Sequence, residues 1–88
     1  MKIKEGFIKR KVGDTEVVVA VGEQAMHFKA MISLNGSAAY LWDLLANDTD
    51  EASLVAAMTE KYDIGEDIAK RDVHAFLEKA RSVGLLDE

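Results

Sequence analysis

The residues FKAMISLNGSAAYLW, at positions 28–42, decide the fold because the apolar pattern of the chain changes within them. In the first half, alternate residues fall on two faces, as expected for a strand with one buried side. One face carries Phe28, Ala30, Ile32 and Leu34, and the other carries Lys29, Met31 and Ser33. In the second half, apolar residues recur at helical spacing. The sequence therefore predicts strands before Asn35 and helices after it, an α+β order.

Two further strands are predicted upstream of this point. Residues 16–21, EVVVAV, are dense in β-branched side chains and apolar on both faces, which is typical of a central strand. Residues 7–12, FIKRKV, form a basic strand candidate, and Gly13 with Asp14 suits a two-residue hairpin turn between the two. A loop is expected around residues 22–27. The result is a three-stranded antiparallel sheet with residues 16–21 in its middle.

Three helices follow, each with its own start signal. Asn35 is a good N-cap for a first helix over residues 37–46, and Thr49 or Asp50 starts a second that ends near residues 63–65. The third runs from about Glu66 to Val83, with Gly84 at the C′ position. The predicted apolar stripe of the first helix consists of Ala38, Leu41, Trp42 and Leu45, and that of the second consists of Leu54, Val55, Met58 and Tyr62. The stripe of the third helix consists of Ile68, Ala69, Val73, Phe76, Leu77 and Ala80.

The length of 88 residues fits one domain, residues 1–88, with one core. Its 49% hydrophobic and 31% charged residues are those of an ordinary globular protein. Three strands followed by a three-helix bundle predict a winged helix-turn-helix-like architecture. Sheet and bundle should together bury Val18, Ile32, Leu41, Trp42, Leu54, Met58, Val73, Phe76 and Leu77.

Several classes of protein are excluded by composition. The chain has no cysteine, which excludes disulfides, thiolate nucleophiles, Cys-ligated zinc and iron–sulfur clusters. The N-terminus is charged and lacks the apolar region of a signal peptide, and no apolar run approaches the roughly 18 residues of a membrane span. We therefore expect a cytoplasmic protein that does not insert in membranes.

The charge is distributed unevenly along the chain. Residues 1–34 carry six Lys or Arg and four Asp or Glu, a balance of +2, whereas residues 35–88 carry five and twelve, a balance of −7. A duplex-binding surface needs clustered basic side chains against phosphates. The acidic second half therefore argues against a nucleic-acid partner.

No catalytic machinery is recognisable. The glycines fall singly, so no phosphate-binding or nucleophile-elbow motif is present, and His27 and His74 lack metal-ligand spacing. The acidic clusters at residues 48–51 and 66–67 are explained by helix starts, and Trp42 by its apolar stripe. We expect no catalytic residue, no cofactor and no metal, and hence no enzyme.

The third helix is the remaining candidate for recognition. Its face opposite the apolar stripe carries Asp67, Arg71, His74, Glu78 and Arg81, with Lys70 beside Leu77 on one shoulder. The charges nearly cancel, unlike those of a helix that enters a major groove. This face can be a binding surface, or it can be a solvated face with pairs such as Asp67 with Arg71. The pattern alone favours neither.

The order of short motifs resembles the PqqD family. A strand ending in Leu34-Asn35 runs into a helix ending in Leu41-Trp42-Asp43-Leu44-Leu45, as in that family. The similarity continues through residues 54–58, 60–63, 72–73 and 76–77 to residues 84–86. These are mostly packing and capping positions, so their order and spacing carry the resemblance rather than any one residue.

The resemblance implies a RiPP recognition element, a non-catalytic domain that binds the leader of a ribosomally made precursor peptide and presents it to a modifying enzyme, often a radical SAM protein. In that family the leader adds as a strand to the third strand, in a groove beside the third helix. That mode needs only backbone donors and acceptors, so no diagnostic side-chain motif is required. The residues implied here are Lys29, Ala30, Met31, Ile32, Ser33, Lys70, His74, Leu77 and Arg81.

Two other functions share the same pattern. A winged-helix DNA-binding protein would have this architecture, and a structural subunit of a biosynthetic complex would show the same packing without binding a leader. A free edge on the third strand is compatible with a monomer or a weak homodimer.

Overall fold

The computed structural model describes residues 1–26 and 32–88. The fold is α+β, as predicted, with a three-stranded antiparallel sheet and three helices. Residues 28–31 of the predicted third strand lie outside the described residues. In chain order the elements are strands β1 Lys2–Ile3, β2 Phe7–Val12 and β3 Thr15–Ala20, a 3-10 helix at Gly22–Met26, strand β4 Ile32–Leu34, helices α1 Gly36–Leu44, α2 Glu51–Tyr62 and α3 Glu66–Ser82, and strand β5 Leu86–Asp87.

The main sheet has the order β2-β3-β4, which confirms the central place predicted for the valine-rich strand. Gly13 at the hairpin turn has a φ of 62°, a conformation that favours glycine and matches the first central position of a type II′ turn. Val12 therefore pairs with Thr15, and the register continues to Phe7 opposite Ala20. On the other side, Glu16 pairs with Leu34 and Val18 with Ile32.

The helix ends confirm the predicted caps. The Asn35 side chain accepts a hydrogen bond from the Ala38 N–H at 2.8 Å, and that of Asp50 accepts one from Ser53 at 2.7 Å. The bond from the Ser53 N–H lowers the pKa of Asp50. Gly84 has a φ of 78°, and the Leu85 N–H reaches back to the Ala80 carbonyl at 2.9 Å, as in a Schellman motif.

The core lies between the sheet and the helices. Seven of the nine predicted core residues are buried, whereas Ile32 and Phe76 are only half-buried because they line an open groove between β4 and α3. Ile68, predicted to lie in the apolar stripe of α3, is exposed. Trp42 is 7% exposed and belongs to the core, which supports the packing role predicted for it.

The small sheet of β1 and β5 was not predicted. It joins the two ends of the chain, with Lys2 opposite Asp87 and Ile3 opposite Leu86. The Ile3 N–H also donates to the Leu45 carbonyl at 2.9 Å, so this sheet is tied to the end of α1. Strands of two residues are too short to show an alternating pattern, and sequence periodicity therefore has no means of finding them.

Candidate functional site

An open groove runs between β4 and the side of α3, with the buried residues of α1 at its floor. Its volume is about 380 Å³, within the range of roughly 300 to 1,000 Å³ common for ligand clefts. The lining residues are Ile32, Ser33, Leu34, Asn35, Ser37, Ala38, Leu41, Trp42, Asp72, Ala75, Phe76, Lys79, Ala80 and Leu85. One wall of this groove is thus the outer edge of a sheet, and the other is a helix.

The hydrogen-bonding direction of β3 follows from its partners. The Val21 N–H donates to the Gly6 carbonyl at 2.8 Å, and Thr15 closes the hairpin with Val12. The N–H and C=O groups of successive residues in a strand point alternately to its two neighbours. In β3, those of the odd-numbered residues therefore point toward β2, and those of the even-numbered residues point toward β4. Glu16 and Val18 therefore exchange hydrogen bonds with their β4 partners.

The free edge of β4 is defined by the same alternation. Ile32 and Leu34 turn their N–H and C=O groups toward β3, which leaves those of Ser33 pointing away from the sheet. Within residues 1–26 and 32–88, β4 pairs with β3 alone. The backbone of Ser33 therefore offers one donor and one acceptor on the groove side of the sheet.

The helix wall combines an apolar centre with two charged residues. Asp72, Phe76 and Lys79 follow one another at the i, i+4, i+7 spacing of one helix face, so they span about 10.5 Å along the axis. Beneath them the floor is apolar, because Leu41, Trp42, Ala80 and Leu85 are all buried. The groove can therefore hold apolar side chains at its bottom and polar ones at its lip.

Of the residues named from the sequence that fall within 1–26 and 32–88, Ile32 and Ser33 line this groove. Lys29, Ala30 and Met31 lie outside the described residues. Lys70 and His74 line a separate depression between α2 and α3, where His74 lies 3.7 Å from Glu51 and 3.6 Å from Glu78.

The other two named residues have structural contacts elsewhere. Leu77 is fully buried in the core. Arg81 makes two hydrogen bonds of 3.0 Å with the carboxylate of Glu88, which lower the pKa of that carboxyl group. The structure does not bring Lys70, His74, Leu77 or Arg81 to the side of α3 that faces β4.

Asp72 and Lys79 line the groove but were not singled out from the sequence, because Lys70 and Arg81 lie at the opposite boundary of the apolar stripe. An amphipathic helix has two boundaries between its apolar and polar faces, and the periodicity treats them alike. The available signal was Phe76, a large apolar residue at the stripe edge whose helical neighbours include Asp72 and Lys79. Only the packing of α3 against the sheet selects that boundary.

Within the described ranges, no group of three or more His, Cys, Asp or Glu residues could hold a metal ion. In the same part of the chain, no helix is both long and apolar enough to cross a membrane.

The fold and the groove together define a class of protein, a small α+β domain with a free strand edge beside a helix. The family model for coenzyme PQQ synthesis protein D (PqqD) matches residues 16–86, and the chain belongs to this family. The resemblance inferred from the sequence is thereby confirmed. No curated protein matches the chain.

A solved structure, described as TbiB1 in complex with the TbiA(beta) leader peptide, has a similar fold. It is 21% identical in sequence, with a TM-score of 0.79, and the match covers 99% of this chain and 95% of that one. The likeness extends over nearly all of both chains, and it shows that they share a fold.

Proposed function

We propose that the protein is a non-catalytic peptide chaperone that binds the leader segment of a ribosomally made precursor peptide. The leader adds as an extended strand to the free edge of β4, and the complex is presented to a separate modifying enzyme. The observation that carries this proposal is the outward-pointing backbone of Ser33 beside an apolar groove.

Strand addition divides the work of recognition between backbone and side chains. Hydrogen bonds to Ser33, and to further residues of the predicted strand such as Lys29 and Met31, would fix the register of the leader. Side chains of an added strand alternate between two faces. One set therefore enters the groove over Trp42 and Phe76, and the other set meets solvent or the enzyme.

The comparisons support this assignment. The family description concerns the synthesis of a coenzyme, and the solved relative in fold is described as a complex with a leader peptide. A free strand edge is a hazard for a soluble domain unless it is protected or used. A leader strand gives that edge a use.

The chemistry of modification is assigned to a partner enzyme, in keeping with a radical SAM protein of the kind associated with the family. In the described part of the chain, the one histidine, His74, lies among Glu51, Glu78 and basic residues outside the groove. The described polar residues of the groove are Ser33, Asn35, Ser37, Asp72 and Lys79.

The affinity should be modest. Ordering a short strand costs conformational entropy that offsets part of the backbone hydrogen bonds and apolar contacts. We expect a dissociation constant of about 0.1 to 10 μM, equivalent to roughly −7 to −10 kcal/mol.

The test is a selection of displayed random 15-residue peptides on the immobilised protein, followed by calorimetric titration of synthetic copies. Recovery of peptides that bind in the expected range supports the proposal. A mobility-shift assay with random duplex DNA at low salt tests the alternative function, DNA binding. A protein that retains DNA and selects no peptide is a winged-helix DNA-binding protein instead.

A further inference from the structure

The basic residues of the acidic second half of the chain are nearly all engaged within the molecule. The contacts are Lys61 over the Tyr40 ring at 4.6 Å, Lys70 with Glu66 at 3.2 Å, Arg71 with Asp72 at 3.5 Å, and Arg81 with Glu88 at 3.0 Å. Lys79 is the exception, because among residues 1–26 and 32–88 its ammonium group has no ion-pair partner. It is exposed and lines the groove.

The position of Lys79 on α3 explains why its charge stays free. Residues three and four apart on a helix are neighbours, and for Lys79 these are Ala75, Phe76, Ser82 and Val83. None of them is acidic. On a chain with a net charge of −5, a cation without a carboxylate within reach on its own helix marks a place where an anion from outside can bind.

The second charged residue of the groove does not cancel this cation. The Asp72 carboxylate lies two turns away along α3, and its Oδ1 is 3.5 Å from the Arg71 Nε. Its charge is therefore compensated by a neighbour, whereas that of Lys79 is not. The helix wall of the groove presents one uncompensated positive charge beside the apolar ring of Phe76.

We infer that Lys79 selects peptides with an acidic side chain next to an apolar anchor, which deepens the proposed function and rests on it. Phe76 and Lys79 are three residues apart, about 4.5 Å along the helix axis. Side chains on one face of a strand recur about every 6.6 Å, a distance that the long lysine arm can span. The acidic residue therefore lies two positions from the apolar residue that packs on Phe76.

This assignment gives Lys79 the role that the sequence suggested for Lys70, His74 and Arg81. Those three already have carboxylate partners at Glu66, Glu51, Glu78 and Glu88. Lys70 is an exposed lysine on the same helix but outside the groove, which makes it a matched control for Lys79.

The experiment compares four proteins, the wild type, Lys79→Glu, Lys70→Glu and Ser33→Pro, in selections from one library of displayed random 15-residue peptides. The wild type and Lys70→Glu should enrich Asp or Glu two positions from an apolar residue. Lys79→Glu should lose that preference and enrich Lys or Arg at the same position. Ser33→Pro should enrich no peptide.

Titration of one selected peptide and its Glu→Gln copy gives the size of the effect. Lys79→Glu should weaken binding of the acidic peptide roughly 3- to 30-fold, since one exposed attraction is replaced by a repulsion. The Gln copy should bind the two proteins equally. Raising the salt concentration should weaken only the pairing of wild type with the acidic peptide, because exposed charges are screened over about 10 Å at 0.1 M.

The outcomes separate this inference from the proposed function. Unchanged peptide preference in Lys79→Glu, with selection still lost in Ser33→Pro, overturns the role of Lys79 and leaves strand addition standing. If the wild type enriches no peptide, or if Ser33→Pro enriches the same peptides as the wild type, strand addition at β4 is overturned and the role of Lys79 with it.

Discussion

The two edge strands of the main sheet differ in charge and in what lies beside them. β2 carries three consecutive basic residues, Lys9, Arg10 and Lys11, whereas the described residues of β4 are uncharged. By the alternation of the hairpin, Lys9 and Lys11 turn their backbone groups outward on β2, as Ser33 does on β4. Among residues 1–26 and 32–88, the backbone groups of Lys9 and Lys11 on one edge and of Ser33 on the other thus have no strand partner.

The basic residues of β2 can protect that edge from pairing with another chain. Lysine on an edge strand hinders pairing with another chain, because ordering a second strand there brings charges together and desolvates them. The described residues of β4, Ile32–Leu34, carry no lysine and face an apolar groove in which an added strand would bury apolar area. We expect peptides to add to β4 and not to β2.

The largest effect on peptide affinity is expected from proline at the two edges. Ser33→Pro removes the outward N–H and leaves a carbonyl of the peptide without a donor, which should cost about 2 to 4 kcal/mol, or roughly 30- to 1,000-fold in affinity. Lys11→Pro makes the matching change on β2 and should leave affinity unaltered. Calorimetric titration with a selected peptide measures both, and thermal melting verifies that the variants fold. Equal affinity in the two variants removes the distinction between the edges.

The largest effect on the stability of the fold is expected at the floor of the groove. Trp42 is buried beneath the groove, so Trp42→Ala should destabilise the fold by about 3 to 5 kcal/mol. This is a large part of the roughly 4 to 13 kcal/mol expected for a chain of this length. Urea unfolding followed by circular dichroism gives the value. A free energy of unfolding equal to that of the wild type contradicts the core role of Trp42.

Neutralising the protected edge should make it associate. With Arg10→Val and Lys11→Val together, β2 loses two of its three basic residues and gains β-branched side chains. We expect concentration-dependent dimers with a dissociation constant on the order of 100 μM, equivalent to about −5.5 kcal/mol. Sedimentation equilibrium measures this association. The control, Arg10→Lys with Lys11→Arg, should behave like the wild type, and a monomeric valine variant at millimolar concentration argues against protection by charge.

The smallest effect is expected at Lys9, whose side chain is 21% exposed and whose Nζ lies 2.7 Å from Asp43 on α1. That hydrogen bond raises the pKa of Lys9 above its ordinary value of 10.5, so its stabilising contribution is present below that value and is lost as pH rises through the folded-state pKa. Lys9→Met should lower the free energy of unfolding by less than about 1 kcal/mol at neutral pH, and it should leave that free energy unchanged in strong alkali. Peptide affinity at β4 should not change. A larger loss of stability, or weaker peptide binding, indicates that Lys9 does more than join β2 to α1.

The architecture was predictable because local signals agreed with one another. The valine-rich strand, the turn glycine at position 13 and the caps at Asn35, Asp50 and Gly84 are each decided by neighbouring residues, and all are found as predicted. The terminal strands β1 and β5 depend on contacts between the two ends of the chain. No local pattern encodes such contacts.

The groove was only half predictable. Alternation along the strand placed Ile32 and Leu34 on the inner face and Ser33 on the other, which the burial of these residues confirms. The helix wall depends on which boundary of α3 faces the sheet, and this is set by how Leu41, Trp42 and Phe76 pack together. Lys79 could therefore be identified as a groove residue only from the three-dimensional structure.

The most direct test of the account is an NMR titration of ¹⁵N-labelled protein with a peptide recovered from the selection. If the peptide adds to β4, the Ser33 amide shifts and becomes protected from hydrogen exchange, while the Lys11 amide remains as in the free protein. Shifts centred on Lys11, or on Lys70 and His74 between α2 and α3 with Ser33 unchanged, would contradict strand addition at β4.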